Sequence, residues 1–320
     1  MASPNLSEIV TTTLRNRSRQ LADNVSENNA ILKRLSEKGN VKLKAGGRNI
    51  VQELDYNEND TFKWYQGFET LDISPSDVLS AAEFDWKQAA VAVTISGLEQ
   101  LQNSGKDAII DLLEARITNA ERTMSNKIAE SMYSDGTGDG GKEVGGLQLL
   151  VADAPTTGTV GGINRATYAF WRNYVVDPGA AATSVNIQGY MNDVFLNTSR
   201  GTDKPDLILS DNNYYDAYWS SLQAIQRIQD PNVGQSGFLT LKFQNADVVF
   251  DGGIGGNAPA NRMYFLNTNY IHFCVHRDRN FVPLDPDRYS TNQDALVKLI
   301  AFAGNMTLSY AKAQGVLTDN

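Results

Sequence analysis

The sequence predicts an α+β fold, and three of its features support this prediction. Between residues 104 and 135, apolar side chains recur at spacings of three and four, which is the pattern of one long amphipathic helix. Short runs with strand-like alternation or continuous apolar character lie on both sides of that helix. Neither an internal repeat nor a low-complexity segment interrupts the pattern.

Length and composition narrow the class of protein. The chain has 320 residues, of which 41% are hydrophobic and 20% charged, so it is long enough to bury a sizeable core. No stretch approaches the roughly 20 apolar residues of a membrane span, and residues 1–20 lack the apolar core of a secretion signal. Cys274 is the single cysteine, which excludes a disulfide framework within the chain and favours a reducing, intracellular origin.

Charge is unevenly distributed along the chain. Residues 1–48 hold nine basic against four acidic side chains, whereas the remainder carries a formal charge of −14, giving −9 in total. A nucleic-acid reader needs concentrated positive charge on its binding face, so this distribution argues against that class. It favours a basic arm that lies on an acidic body, either its own or a neighbour's. A solvated basic helix without a partner is the alternative.

The near-helical spacing of apolar residues in 4–37 predicts that this arm is a helix, which Gly39 ends. Its apolar stripe is thin for a helix buried in its own core, which indicates docking onto something large.

A two-stranded hairpin follows the arm. Residues 48–56 predict one strand, residues 57–60 a polar turn, and residues 61–70 the returning strand. The returning strand places three aromatic side chains on one face, Phe62, Trp64 and Phe68. Because an isolated hairpin is only marginally stable in water, we expect these aromatics to rest on another surface. An ordinary core hairpin is the alternative.

Ser74-Pro75 ends this pattern, and residues 83–96 predict a further strand before the long helix begins. Ser104 with Asp107 forms a capping box at the start of the helix, and Gly136 is its expected C′ residue. About 30 residues would make a rod of roughly 45 Å. A compact globule of this length has a diameter of only ~50 Å. An elongated, flat subunit therefore accommodates the rod better than a sphere.

A second mixed block follows a glycine-rich linker at residues 134–146. The apolar patterns in it predict helices at 186–199 and 212–226 and strands at 206–210, 246–250, 262–276 and 299–311.

Three candidate chemical sites can be weighed against plain structural roles. His272, Cys274 and His276 alternate on a predicted strand, and such donors suit zinc. No second ligand cluster accompanies them, so a half-buried strand is a sufficient explanation. The chain has only two histidines and one cysteine, so few residues are available to form a hydrolase triad or to activate a cysteine nucleophile.

The glycine-rich segment 251–257 lacks the spacing of a phosphate-binding loop, and Asp135 with Asp139 lacks the rest of a calcium loop. Among Asp206, Asp211 and Asp216, Asp211 is read as a helix N-cap and not as half of a catalytic pair. The sequence therefore predicts no enzyme, with no catalytic, cofactor-binding or metal site.

The succession of parts resembles the major capsid proteins of tailed bacteriophages, whose Hong Kong 97-type fold is shared by encapsulins and the herpesvirus capsid floor. The likeness covers most of the chain. Beyond the arm and the hairpin it depends on the segments that begin SPSDVLSAAEFDW (74–138), VGGLQLLVA (144–152), PDLILSDNNYYDAYWSSL (205–222) and DVVFDGGIGGNAPANRMYF (247–273), and on the closing strand.

The resemblance implies a division into five parts. These are an N-terminal arm at 1–38, an extended loop at 39–73, a peripheral domain at 74–150 with the spine helix at 104–135, an axial domain at 151–294, and a C-terminal strand at 295–320 that returns to the peripheral domain.

It also implies a structural function, in which hexamers and pentamers of the chain build an icosahedral head around double-stranded DNA. The expected contacts between subunits are Arg15, Arg17 and Arg19 on the arm and Phe62, Trp64 and Phe68 on the hairpin. Expected partners are further copies of the chain, a separate scaffolding protein, portal and decoration proteins, and packaged DNA contacted non-specifically, with no membrane. Assembly is expected in the host bacterial cytoplasm, and the finished protein in the virion.

Some relatives cross-link a loop lysine to a neighbouring subunit, and Lys42, Lys44 and Lys63 lie in the corresponding region. Such a bond needs a nearby carboxylate and a dry pocket, so solvated lysines are the better explanation of these residues. An acidic inner wall would let DNA spool without sticking. The alternatives in function are an encapsulin-like cellular compartment and a monomeric hydrolase or binding protein.

Overall fold

The structure is a computed structural model that describes residues 29–98, 106–222, 240–252, 256–284, 288–289 and 294–319. The helices within these ranges are α1 (Ala30–Glu37), α2 (Lys106–Ser131), α3 (Gly138–Gly141), α4 (Leu147–Leu150), α5 (Ile187–Thr198) and α6 (Asn212–Ser221). Single 3₁₀ turns lie at Ala169–Trp171, Thr268–Tyr270 and Arg277–Arg279. None of the described helices has the length and apolar character needed to cross a membrane.

The strands are β1 (Val41–Lys44), β2 (Ile50–Asp55), β3 (Leu79–Phe84), β4 (Lys87–Ser96), β5 (Thr159–Val160), β6 (Ile163–Asn164), β7 (Tyr174–Val176), β8 (Leu207–Ser210), β9 (Thr240–Phe243), β10 (Ala246–Phe250), β11 (Arg262–Leu266), β12 (Ile271–His276), β13 (Val282–Pro283), β14 (Arg288–Tyr289), β15 (Ala295–Leu308) and β16 (Gly315–Thr318). They form two six-stranded sheets and two short two-stranded ones.

The first sheet is built on β15, whose 14 residues reach several partners. One edge of β15 pairs antiparallel with all of β4, and its other edge pairs with β12, β13 and β14; β1 then adds parallel to β12. Helix α2 packs on β4. The predicted apolar stripe of the long helix is confirmed where its side chains are described, because Ile117, Ala120, Met124 and Ile128 are all buried.

The second sheet has the order β7-β16-β11-β8-β10-β9. Its central strand β8 is buried at every residue, as the apolar run at 206–210 predicts. Helices α5 and α6 cover this sheet through a shared apolar cluster that includes Met191, Phe195 and Tyr218. Asp211 caps α6 as predicted, since its Oδ1 accepts the Tyr214 amide at 3.1 Å.

Helix α1 ends the way its sequence predicts. Gly39 has a φ of +69°, and the chain closes a Schellman motif in which Asn40 N donates to Leu35 O and Gly39 N to Ser36 O, at 2.7 and 3.0 Å. The expectation that the arm docks only onto something large is wrong for this last part of it. Ile31, Leu32 and Leu35 are fully buried in the core of their own chain. Arm residues before 29 lie outside the described residues.

Replacing Gly39 by alanine should lower the free energy of unfolding by about 1 kcal/mol, because a Cβ is strained at this φ. Gly189 is the matched control: it lies inside α5, and an added Cβ would meet nothing within 4 Å. Gly189→Ala should therefore stabilise the subunit by up to about 1 kcal/mol through helix propensity. Urea unfolding of both variants measures the difference, and equal effects would contradict this account of the cap.

Several predicted elements need correction. The strand predicted at 61–70 is absent, and β2 pairs instead with β3 at residues 79–84. The strand predicted at 83–96 is two strands, β3 and β4, divided at Asp85-Trp86. Helix α2 ends at Ser131 and not beside Gly136, because the chain folds back so that the Leu147 amide donates to the carbonyl of Met132 at 2.7 Å.

The two sheets also cut across the predicted parts of the chain. Strands β12, β13 and β14 lie within residues 151–294. All three nevertheless pair with β15, in the sheet on which α2 packs. The segment 295–320 is not one strand: β15 joins the first sheet, whereas β16 lies between β7 and β11 in the second.

Candidate functional site

The most unusual surface of the molecule is the long hairpin between residues 50 and 84. Its stem, β2 with β3, is anchored along one face, where Ile50, Leu54, Ala82 and Phe84 are buried. The Glu83 amide donates to the carbonyl of Gly161 at 2.9 Å, in the turn between β5 and β6. The stem is thus held firmly on the body of the subunit.

The far end of the hairpin, residues 56–78, is defined here as the tip. It forms no regular strand or helix and exposes its large apolar side chains. The exposed fractions are 74% for Phe62, 87% for Trp64, 63% for Tyr65, 110% for Phe68, 46% for Leu71 and 93% for Ile73. The three aromatics predicted to rest on another surface, Phe62, Trp64 and Phe68, therefore rest on no surface formed by the described residues of their own subunit.

The tip is nevertheless held in a specific conformation by local contacts. Asn59 Oδ1 accepts bonds from Thr61 N and Ser76 Oγ at 3.0 Å each, which ties the two limbs together. Lys63 forms an ion pair with Glu69 at 3.0 Å, and the rings of Phe62 and Trp64 meet edge to face at 5.5 Å. At its base, Tyr56 stacks on Phe170 with 4.8 Å between ring centroids. The exposed apolar groups are therefore presented in an ordered arrangement.

The exposed area is large for a lone soluble subunit. Each aromatic side chain offers roughly 150–250 Å², so the four exposed aromatics of the tip, Phe62, Trp64, Tyr65 and Phe68, together expose on the order of 600 Å². The largest apolar patch on a typical monomer is only ~300–600 Å² and is often functional. Such a tip is suited to burial against another molecule.

The hairpin is also strongly acidic. Residues 50–84 hold eight acidic side chains against one basic side chain, Lys63; the acids are Glu53, Asp55, Glu58, Asp60, Glu69, Asp72, Asp77 and Glu83. A partner surface should therefore combine apolar and basic groups.

The other predicted contacts between subunits, Arg15, Arg17 and Arg19, lie outside the described residues. The end of the basic arm can be placed, however. Arg34 reaches Asp206 at 3.0 Å and Asp247 at 3.5 Å, and Lys38 reaches Asp206 at 3.0 Å. Burial alone would raise the pKa of Asp206, but bonds from Thr268 and the charge of Lys38 lower it below its usual range. Here the acidic body that receives the arm is its own.

The strand with His272, Cys274 and His276 is more buried than predicted. Residues 271–275 are all buried in β12, and only His276 is partly exposed. Burial raises the pKa of the Cys274 thiol, which disfavours the thiolate that a metal or a nucleophilic role needs. Within the described ranges, no group of three or more His, Cys, Asp or Glu side chains is placed to hold a metal ion.

His272 should make the subunit sensitive to acid. Burial, and then the nearby ammonium groups of Lys42 and Lys44, lower its pKa to about 4. An unfolded histidine titrates near 6.5, so the unfolded chain binds the extra proton first and stability falls as the pH drops from about 6.5 to 4. The loss should reach up to about 3 kcal/mol.

Urea unfolding at several pH values measures this loss. In His272→Gln the free energy of unfolding should depend less on pH between 6.5 and 4 than it does in the wild type. Identical slopes for wild type and His272→Gln would refute the assignment.

The remaining polar candidates have structural partners. Asp211 accepts the Asn261 amide with its second carboxylate oxygen at 2.7 Å. Asp135 forms a local turn, accepting the Thr137 amide at 2.9 Å. A Cβ at Gly252 would meet Asn212 Oδ1 at 2.3 Å, so this glycine permits close approach of a side chain; Gly253 and Gly255 lie outside the described residues.

The buried charge of Arg165, which is 1% exposed, is not identified from the sequence. Its guanidinium donates to the carbonyls of Leu149, Leu150 and Trp171 at 3.0, 2.5 and 3.2 Å. No local pattern marks an arginine for burial, so only the fold could reveal this contact.

Comparison with known proteins bears on the fold. No family model and no curated protein matches the sequence. Among solved structures, a chain of the cyanophage A-1(L) capsid asymmetric unit superposes with a TM-score of 0.62 at 15% identity, covering 88% of this chain and 90% of that chain. A chain from the capsid of the native GTA particle gives 0.57 at 12% identity, covering 89% of each chain. The procapsid of satellite phage P4, solved with its size determination protein, gives 0.51 at 12% identity over 99% of this chain and 92% of that chain.

These superpositions span nearly the whole chain, so they establish its fold. Because the identities are low, they establish the fold alone. The chain has the Hong Kong 97-type capsid fold, as the succession of its parts indicates. The projecting hairpin, the long helix α2 and the two mixed sheets are elements of that fold in this molecule.

Proposed function

We propose that this chain is the major capsid protein of a tailed bacteriophage, a non-enzymatic subunit that assembles as hexamers and pentamers into an icosahedral head around double-stranded DNA. The observation that supports it most is the ordered apolar tip, exposed on a subunit that has the capsid fold.

The described residues of the subunit leave the aromatics of the tip exposed to water. Contact with a second molecule would bury them, and burying each is worth roughly 1.5–3 kcal/mol. If that molecule is another copy, one subunit donates its tip and receives a different neighbour's tip. Such head-to-tail contacts close into rings when the rotation permits. Phe62, Trp64 and Phe68 are accordingly the proposed contacts between subunits.

The arm has a related role in this proposal. Its end is fixed on its own subunit by α1 and the Arg34 and Lys38 ion pairs. From that fixed point the preceding residues, with Arg15, Arg17 and Arg19, would reach a neighbour's acidic surface. The parts named from the resemblance are proposed as the successive segments of the shell subunit, although strands of the last two segments pair across their boundaries. These segments are the arm 1–38, the extended loop 39–73, the peripheral domain 74–150, the axial domain 151–294 and the C-terminal segment 295–320.

The proposed partners follow from a shell of this kind. They are copies of the chain, a separate scaffolding protein during assembly in the host cytoplasm, portal and decoration proteins, and packaged DNA contacted without sequence preference. The finished protein would reside in the virion.

Size-exclusion chromatography of the chain, expressed alone and with a scaffolding protein, tests the proposal. We expect a large fraction at the size of closed particles. A 35.1 kDa monomer under every assembly condition would contradict it.

A further inference from the structure

We propose that the first sheet carries a phosphate-binding site between β1 and β12, in which Lys42, Lys44 and His272 hold the anion. The site is separate from the contacts between subunits described above, and it does not depend on the proposed function.

The pairing of β1 with β12 brings these three side chains together. The two strands run parallel, with Lys42 opposite Cys274 and Lys44 opposite His276. Residues that pair across two strands, and residues two apart on one strand, project from the same face of a sheet. Lys42, Lys44 and His272 therefore share one face. Paired strands lie roughly 5 Å apart and residues i and i+2 roughly 7 Å apart, so the flexible lysine side chains can converge on one small ligand.

His272 has an unused hydrogen-bonding atom on this face. Its side chain is 7% exposed, and its Nδ1 is buried without a partner among the described residues. Buried polar atoms in folded proteins nearly always have a partner, so each exception needs an explanation. An oxygen of a bound anion would accept a hydrogen bond from this nitrogen. Lys42 and Lys44 are long and flexible, so a change in their rotamers can open a route to the ring.

The two lysines carry charges that the subunit does not neutralise. Within the described residues neither lysine forms an ion pair, and Lys44 Nζ donates only to the carbonyl of Val51, at 3.3 Å. Both ammonium groups act on His272, since after burial their charges lower the pKa of its ring. On the neighbouring strand β15, the residues that share this face, Asn305 and Thr307, are uncharged. Two unpaired cations side by side, in a chain with a net charge of −9, are suited to an anionic ligand.

The number and type of the donors indicate the chemistry of the ligand. A terminal phosphate group carries a charge of about −1.5 to −2 at neutral pH and offers three acceptor oxygens. Two ammonium groups and one imidazole N–H match both its charge and its oxygens, and lysine is a common phosphate ligand. A carboxylate would neutralise only one of the two lysines. The ligand is therefore a phosphate, free in solution or, with one charge fewer, in the backbone of a nucleic acid.

Urea unfolding of the full chain, before assembly, tests the site. An anion that binds only the folded state raises the free energy of unfolding as its concentration increases. Phosphate also stabilises proteins generally, because it is excluded from their surface. The informative comparison is therefore between wild type and Lys42→Gln with Lys44→Gln, each measured in phosphate and in chloride at equal ionic strength.

We expect phosphate to stabilise the wild type beyond chloride, and its Kd to be at least about tenfold weaker in the double variant. Lys204→Gln with Lys312→Gln is the matched control, since both lysines are exposed and lie outside β1 and β12. The control should respond to phosphate as the wild type does. Equal responses in all three proteins would overturn the proposal.

NMR of the histidine rings gives a readout at the site itself, because the chain has only two histidines. Inorganic phosphate should shift the ring signals of His272, which are identified by their loss in His272→Gln. The same addition should leave these signals in place in the double lysine variant. Unchanged His272 signals in the wild type at saturating phosphate would also overturn the proposal.

Fluorescence anisotropy of a short labelled DNA duplex distinguishes the two sources of phosphate. Duplex binding that the double lysine variant weakens would assign the ligand to the DNA backbone. Phosphate-specific stabilisation without such duplex binding would assign it to free phosphate. Either result supports the site, and particle formation by the wild type, measured separately, bears only on the proposed function.

Discussion

Replacing Phe62, Trp64 and Phe68 together by serine should abolish particle formation and leave the subunit folded. These side chains are 74%, 87% and 110% exposed, so they contribute little to the stability of a single subunit. In a shell, each serine substitution would remove roughly 1.5–3 kcal/mol of the free energy gained by burying the aromatic side chain. Together the three substitutions would remove more than about 4 kcal/mol. The protein concentration needed for assembly would then rise more than about a thousandfold.

Sedimentation of the assembled fraction and thermal unfolding of the subunit measure the two halves of this expectation. Val185→Ser with Leu196→Ser is the matched control, since both residues are exposed and apolar but lie outside the hairpin. The control should assemble normally. Particles at wild-type yield from the triple variant would show that the tip is not a contact between subunits.

Arg165→Ala should have the largest effect on the stability of the subunit itself, about 4 kcal/mol. The side chain is 1% exposed and serves three carbonyls that alanine would leave without donors. Burial lowers its pKa to about 10, so it is still charged at neutral pH.

Urea unfolding of the unassembled subunit measures the loss. Arg165→Lys should recover only part of it, because an ammonium group lacks the planar fork that reaches several carbonyls. Arg277→Ala, at a side chain that is 73% exposed, should change stability by no more than about 0.5 kcal/mol. A similarly small effect of Arg165→Ala would refute its role.

The helices and central strands could be predicted because their apolar faces are buried by other residues of the same chain. The stripe on α2, the apolar run of β8 and the Asp211 cap each follow from local sequence and local geometry. Gly39 ends α1 for the same reason, since only its own φ is required.

The hairpin was mispredicted because alternation signals a strand only when one face is buried by the same chain. Phe62, Trp64 and Phe68 alternate, yet they are exposed and unpaired. The true return strand, Leu79–Phe84, has small residues at its centre and a weak apolar pattern. Contacts between residues that are distant in sequence could not be predicted either. Arg34 and Asp206, which bond to each other, are 172 positions apart.

Cryo-electron microscopy of particles assembled from this chain would show whether the hairpin tip joins neighbouring subunits. We expect closed icosahedral shells in which the tip, residues 56–78, is covered by a neighbouring subunit. Particles whose tips stand free in solvent, or a chain that never leaves the monomeric state, would contradict it.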